Sequence, residues 1–322
     1  MNNLKKIGLS ALAGSLVAMS AYAAEVSLSG GASITTSQTN EDGKVGYGAN
    51  DSITFSVSGE TEGGIKVTNS IELDDSAGGN GEATDTVIMT LSYDGLGTVT
   101  YARHGGDSVL GGMDSVSPHA YEEVWDVTQT DAATPADNNV INGASGNGLF
   151  RYDSPNFSGL VLSASYDSTV ETGAVGSYSD YGFTYSPEMV EGLTIGYAEG
   201  EHEESANVNI DSQTYYVKYA YGPVTVAYQE SEEDAATQAN SNESSEWGVS
   251  YAVTDNFSIA YGQHRYDDNL ANTGDEQKSS GISASYTMAG TTIAGAFNDT
   301  ENVDSTANED AKGFEITASF AF

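Results

Sequence analysis

From Glu25 to Phe322 hydrophobic residues recur at every second position. In the last segment Phe314, Ile316, Ala318, Phe320 and Phe322 are apolar, with Glu315, Thr317, Ser319 and Ala321 between them. The same alternation runs through Val217, Tyr219 and Tyr221, through Trp247, Val249, Tyr251 and Val253, and through Ile282, Ala284 and Tyr286. A period of two places alternate side chains on opposite faces of a β-strand. One face is aliphatic and aromatic, and the other carries Ser, Thr, Gly or other small residues. A water-soluble β-sandwich needs large apolar side chains pointing inward from two sheets. Small polar residues do not fill such a core, so the apolar face must meet something outside the protein.

Sixteen segments carry this pattern: 25–36, 50–59, 64–74, 84–94, 98–103, 148–154, 159–168, 179–186, 192–201, 212–221, 223–231, 245–254, 256–266, 279–287, 290–299 and 312–322. Most hold about ten residues, the length a tilted strand needs to cross a bilayer. Short connections with turn chemistry, such as Glu62-Gly63-Gly64, Gly95-Leu96-Gly97, Gly222-Pro223, Asp255-Asn256 and Ala289-Gly290, alternate with long acidic ones at 232–244, 267–278 and 300–311. Short turns at one end and long loops at the other predict an all-β fold, an antiparallel transmembrane β-barrel of about 16 strands. The even strand number puts both ends of the barrel on the short-turn side.

Two patterns agree with a bilayer around the barrel. Tyr93, Tyr152, Tyr185, Tyr221, Tyr251, Tyr286 and Phe322 fall towards the short-turn ends of strands, and Tyr166, Tyr197, Tyr228, Tyr261 and Phe297 towards the other ends. Such residues form interfacial girdles. Charges in mid-strand, namely Lys66, Glu72, Arg151, Lys218 and Glu315, share the polar parity. Arg103, Glu199, Glu230 and Arg265 share the apolar parity, but near the loop ends, where a charge on the lipid face costs only about 0–1 kcal/mol.

Residues 1–23 read differently. Lys5 and Lys6 precede the apolar run Ile7–Met19, and Ala21-Tyr22-Ala23 has the small-x-small pattern of a cleavage site. A signal peptide of 1–23, followed by the barrel at 24–322, is expected. The whole chain of 322 residues has a formal charge of −37, so loss of those two lysines gives −37 − 2 = −39. That acidity argues against nucleic acid as a partner, because its phosphates would be repelled. With no cysteine there is neither a disulfide framework nor thiolate chemistry. The histidines, His104, His119, His202 and His264, show no metal-ligand spacing, and no nucleophile-elbow motif precedes a helix. No enzyme activity and no cofactor are expected. Asp267-Asp268-Asn269 and Glu309-Asp310 offer hard oxygen ligands, so Ca²⁺ is a possible partner at the acidic loops, although no calcium-loop spacing is present.

One connection is far longer than the rest. Residues 104–147 lie between the fifth and sixth strands, and loops of this length in a compact fold are usually functional. The segment carries Asp107, Asp114, Glu122, Glu123, Asp126, Asp131 and Asp137 with no Lys or Arg, and Tyr121, Val124 and Trp125 are candidates to pin it to a wall. Two readings stay open from these residues: a loop folded inward to narrow the lumen, or a solvated acidic surface loop.

The run Arg151-Tyr152-Asp153-Ser154-Pro155-Asn156-Phe157-Ser158-Gly159-Leu160 resembles the segment that follows the constriction loop in the general diffusion porins of proteobacteria. Thr98–Arg103 with Leu110-Gly111-Gly112-Met113-Asp114 resembles the strand and loop start before it. Phe322, with Phe320 and Ile316, resembles their C-terminal assembly signal. The likeness is strongest to the sixteen-stranded Rhodobacter-type porins. It implies a homotrimer in the cell outer membrane, among lipid and lipopolysaccharide. It also implies a long loop folded into the lumen, whose acidic groups face basic groups on the wall. On this chain the loop side of such a constriction falls on Asp107, Asp114, Glu122, Glu123 and Asp126, and the wall side on Lys66, Arg151 and Lys218. Seven loop carboxylates against three inward basic groups predict a water-filled channel for small polar solutes that prefers cations. A substrate-specific channel, or an adhesin or receptor barrel, is the alternative.

Overall fold

The computed structural model describes residues 24–39, 44–74, 84–128, 143–144, 148–168, 176–205, 208–235, 241–268 and 275–322. The expected signal peptide, 1–23, and the loop acids Asp131 and Asp137 lie outside them.

The alternating segments form sixteen antiparallel strands: β1 (Glu25–Thr39), β2 (Gly46–Glu60), β3 (Ile65–Asp74), β4 (Thr86–Tyr93), β5 (Gly97–His104), β6 (Leu149–Asp153), β7 (Leu160–Asp167), β8 (Tyr178–Tyr185), β9 (Leu193–Ser205), β10 (Val208–Tyr221), β11 (Val224–Ala235), β12 (Asn242–Thr254), β13 (Phe257–Asp268), β14 (Gln277–Met288), β15 (Thr291–Glu301) and β16 (Ala311–Ala321). Each pairs with its sequence neighbours, and β1 pairs with β16 to close the barrel. The closing register sets Thr35 opposite Thr317. At the seam Gly30 N–H donates to the Phe322 carbonyl (2.8 Å) and Phe322 N–H to the Gly30 carbonyl (3.0 Å). Closure leaves no open sheet edge, the condition for strands to cross lipid. A sixteen-strand barrel is wide enough for an aqueous channel.

Burial is inverted relative to a soluble fold. Phe150, Tyr166, Ile282, Phe297 and Ile316 are all about half exposed on the outside, while Ser165, Gln229, Ser283 and Asn298 are buried inside. Ser, Thr and Gly therefore face the lumen. The short turns lie at one end; Ala289 (φ 53°) and Gly290 (φ 80°) make the two left-handed residues that a tight hairpin of matching twist requires.

Several strands run further than their hydrophobic pattern. The acidic stretch 232–244 begins and ends as strand, since β11 continues to Ala235 and β12 starts at Asn242. Only 206–207 separate β9 from β10. These hairpins keep pairing beyond the apolar zone: Gln213 stands opposite Glu232 and donates to it at 2.7 Å. Both faces are polar there, so no apolar alternation marks the extension.

Candidate functional site: the loop in the lumen

After β5 the chain turns inward and lies against the polar face of the barrel from β7 round to β16. Its anchors can be followed strand by strand. Val109 N–H donates to the Ser165 hydroxyl on β7 (3.0 Å). Leu110 N–H donates to Asp180 on β8 (2.8 Å), a carboxylate that also accepts from Ser165 and from the Tyr178 hydroxyl. On β12, Glu246 accepts from the Ser115 hydroxyl (3.1 Å) and from the N–H groups of Val116 (3.1 Å) and Ser117 (3.2 Å). Ala120 N–H donates to Ser283 on β14 (2.9 Å), and the Tyr121 hydroxyl to Glu315 on β16. Asn298 of β15 donates to the Glu123 carbonyl at 2.9 Å, and Thr128 bonds Thr300 at 2.7 Å. The wall residues in these contacts alternate with the exposed apolar ones, so the contacts are inside the barrel. The loop is a belt along the lumen wall, and not a solvated surface loop over residues 107–128.

Packing completes the attachment. Val109, Leu110 and Met113 form a small buried cluster with Ala198 and Tyr216. The Trp125 ring lies 4.2 Å from that of His264, a buried side chain whose nitrogens have no hydrogen-bond partner among the described residues. Glycines make room for the belt. Gly248 on β12, Gly262 on β13 and Gly281 on β14 stand in one row across neighbouring strands, continued by Asn298 and Gly313. A Cβ on Gly262 would sit 3.0 Å from Val124 Cγ1, one on Gly281 3.1 Å from Val124 Cα, and one on Gly313 2.9 Å from Val127 Cγ1. Those separations are tighter than ordinary packing, so glycine at these three positions lets the loop lie close to the wall, while Asn298 in the same row bonds it. The expectation that Tyr121, Val124 and Trp125 hold the loop matches these contacts.

The predicted acidic groups fall in two places along the belt. Asp107 and Asp114 interact electrostatically near its start, and partial burial raises the Asp114 carboxyl above the usual range, with Asp107 adding to the rise. Glu122, Glu123 and Asp126 cluster further round, with carboxylate oxygens within 4.8 Å of one another. Burial, followed by a hydrogen bond that the protonated Glu122 carboxyl donates to Asp126 and by repulsion from Asp126, pushes Glu122 up to about 7. This trio has the oxygen chemistry of a hard-cation site.

The three predicted basic groups are not brought together. Lys66 is the second residue of β3, beside the short turn; Arg151 is on β6; Lys218 is on β10, next to Ala227 and Thr194. Arg151 lies under the start of the belt. Its guanidinium donates to the carbonyls of Ser108 (2.9 Å) and Asp107 (3.4 Å) and pairs with Asp153 at 3.1 Å. Sequence reasoning missed the wall carboxylates Asp180, Glu246 and Glu315 as loop anchors, and missed the glycine row. The row had a trace in the sequence, a glycine at the polar parity of each of several strands, but only the register aligns them.

A family model described as Gram-negative porin matches residues 8–305. The chain belongs to that family. None of the curated proteins compared with it matches. Among solved structures, this porin is similar to the anion-selective porin of Comamonas acidovorans, with 17% identity over 93% of this chain and 100% of that one at a TM-score of 0.70. A loop L8 deletion mutant of OmpT, an outer membrane protein of Vibrio cholerae, aligns with 14% identity over 93% and 99% of the chains at 0.68. A triple mutant of Rhodopseudomonas blastica porin aligns with 17% identity over 92% and 100% at 0.63. At such identities the likeness shows the sixteen-stranded fold. Family and fold together make the chain an outer-membrane channel protein.

Proposed function

We propose that this porin is a passive, cation-preferring channel for ions and small hydrophilic solutes, narrowed by the acidic belt. The observation that carries the reading is the asymmetry of charge. Asp107, Asp114, Glu122, Glu123 and Asp126 belong to the belt, which has no Lys or Arg among them. Of the inward basic groups, Arg151 is held by Asp153 and by loop carbonyls, while Lys66 and Lys218 stand seven strands apart. Carboxylates without a facing basic cluster lower the energy of a cation in the lumen and raise that of an anion. The anion selectivity named for the Comamonas protein is no guide to this one, because the charges that set it need not persist at 17% identity.

The test is the reversal potential of the detergent-purified protein in a planar bilayer under a KCl gradient. A potential of the potassium sign supports the reading; one favouring chloride overturns the assignment of the eyelet to these carboxylates while leaving a pore. Assembly as a homotrimer with a signal peptide removed after Ala23 completes the proposal. Conductance steps in threes and a mature N-terminus at Ala24 in mass spectra are the expected results. Divalent ions joining Asp267 and the Glu309-Asp310 pair to lipopolysaccharide phosphate would raise thermal stability, and a melting temperature indifferent to chelator would rule that out; Asn269, the third residue of the first group, lies outside the described residues.

A further inference from the structure

On the outside of the barrel, the loop-side halves of β13 to β16 carry rows of outward residues that change character step by step. Tyr261, Ile282, Phe297 and Phe314 stand side by side in an apolar row. Gln263, Ser280, Asp299 and Lys312 form the next row towards the loops. Arg265, Lys278 and Glu301 form the row beyond it. Gln263 closes the aromatic zone. Its amide nitrogen donates to the Tyr261 hydroxyl (3.0 Å), and its amide oxygen accepts from the Trp247 ring N–H (3.3 Å). Tyrosine and tryptophan with their polar atoms turned this way mark the edge of the hydrocarbon, so the two upper rows stand at headgroup depth. A cavity of about 210 Å³ opens there, lined by Gln263, Arg265, Lys278, Ser280, Asp299 and Glu301 among others. Charges alternate around it: Glu276 pairs with Arg265 (3.6 Å) and with Lys278 (3.3 Å), and Asp299 pairs with Lys312. Such exposed pairs hold weakly and exchange partners readily. The next sector of the rim differs. The outward residues Glu199, Glu201, Asp211, Glu230 and Glu232 on β9 to β11 have no Lys or Arg among them.

We propose that the cavity on β13 to β15 binds a zwitterionic lipid headgroup of the outer leaflet, one that carries a phosphate and a primary ammonium group a few bonds apart. The site is outside the lumen, so it stands or falls independently of the cation preference of the pore. The phosphate accepts from Arg265, Lys278 and the Ser280 hydroxyl. The ammonium donates to Asp299 and Glu301 on the neighbouring strand. A phosphate alone would face Glu276, Asp299 and Glu301 as well as the cations, and an ammonium alone would face Arg265 and Lys278. A group with both charges matches the alternation. Its acyl chains lie on Ile282 and Phe297, which are exposed directly below. The cavity is smaller than the roughly 300–1,000 Å³ that holds a drug-sized ligand, so it takes the headgroup and not a whole molecule. The acidic sector on β9 to β11 repels phosphate, which confines this lipid to one side of the barrel.

The experiment titrates the folded, detergent-solubilised protein with two phospholipids of identical acyl chains, one with a phosphoethanolamine and one with a phosphoglycerol headgroup, and counts bound lipid by native mass spectrometry. The phosphoethanolamine lipid should bind about tenfold more tightly, the scale of one charge-assisted hydrogen bond. Arg265→Gln with Lys278→Gln should weaken both lipids. Asp299→Asn with Glu301→Gln should remove the preference and favour the phosphoglycerol lipid. Glu230→Gln, on the acidic sector, should leave the wild-type ratio unchanged. Equal binding of the two lipids by the wild type, or the wild-type ratio in the Asp299→Asn, Glu301→Gln variant, overturns the proposal. Free glycerophosphoethanolamine that binds as tightly as the intact lipid overturns the membrane source of the ligand. If either double variant fails to form a heat-modifiable barrel, Lys278→Gln and Glu301→Gln singly decide, the first by weakening both lipids and the second by lowering the ratio.

Discussion

Glu246 holds the middle of the belt, and its removal should loosen the loop without unfolding the barrel. The side chain is 4% exposed and accepts three donors from Ser115, Val116 and Ser117. In Glu246→Ala the Val116 N–H keeps a partner, because Gln229 also accepts from it at 2.9 Å. The Ser117 N–H and the Ser115 hydroxyl lose theirs. Each such loss is worth about 1–3 kcal/mol, so roughly 2–6 kcal/mol of local attachment is at stake before lumen water rehydrates the freed groups. The sixteen strand ladders do not depend on this side chain. The remaining anchors at Asp180, Ser283, Asn298 and Glu315 keep the two flanks in place. Residues 114–118 should therefore open as a local unit. Single-channel recording should show larger open-state noise and a changed conductance, with unaltered heat-modifiable migration. Ser283→Ala, which removes one acceptor from Ala120 N–H, should give a much smaller change. Wild-type conductance and noise in Glu246→Ala would refute the view that wall carboxylates fix the belt.

Gly281→Val should disturb the same belt, since a Cβ there comes within 2.5 Å of Oδ1 of Asn298, the side chain that bonds the Glu123 carbonyl, and within 3.1 Å of Val124 Cα; altered conductance with an intact barrel is the expected result, and wild-type recordings would contradict the packing account. Replacing two of the acidic trio, as Glu122→Gln with Asp126→Asn, should move the reversal potential towards zero in a KCl gradient, whereas an unchanged potential would take these two groups out of the selectivity field. Glu122, raised by burial and by Asp126 from about 4.5 to about 7, makes selectivity depend on pH. It carries a proton below about 7 and a charge above it, so cation preference should strengthen as pH rises through that value and Glu122→Gln should flatten the profile. The stability effect has the opposite sense. The folded loop binds this proton more tightly than the unfolded chain, so its contribution is full below about 4.5 and is lost as pH rises to about 7. Hydrogen exchange at residues 121–126 across that window reads it directly.

The belt's course shows why some parts of this protein were legible in sequence and others were not. Alternation located sixteen strands, because lipid on one side and water on the other impose opposite polarities on successive residues. It lost the ends of β9 to β12, where both faces meet water and pairing alone continues the strand. Loop length and the acids Asp107 to Asp126 singled out the segment without deciding between a lumen and a surface loop, and Asp180 and Glu246 look like any other strand carboxylates until the loop's N–H groups are placed against them. Arg151 was legible as an inward charge. That it spends its donors on Asp153 and on loop carbonyls is set by a contact forty-three residues away in the chain, between Arg151 and Ser108.

The sequence by itself determined what each residue could tolerate: parity fixed which side chains meet lipid, turn chemistry fixed where strands reverse, and length fixed which connection could reach inward. These are local demands, met by a residue and its near neighbours. Tertiary structure decided which wall the described part of the belt lies against and which charges are spent on anchoring. Those outcomes depend on strand register around a closed ring, where Gly248, Gly262 and Gly281 become one surface only after the strands that carry them have paired.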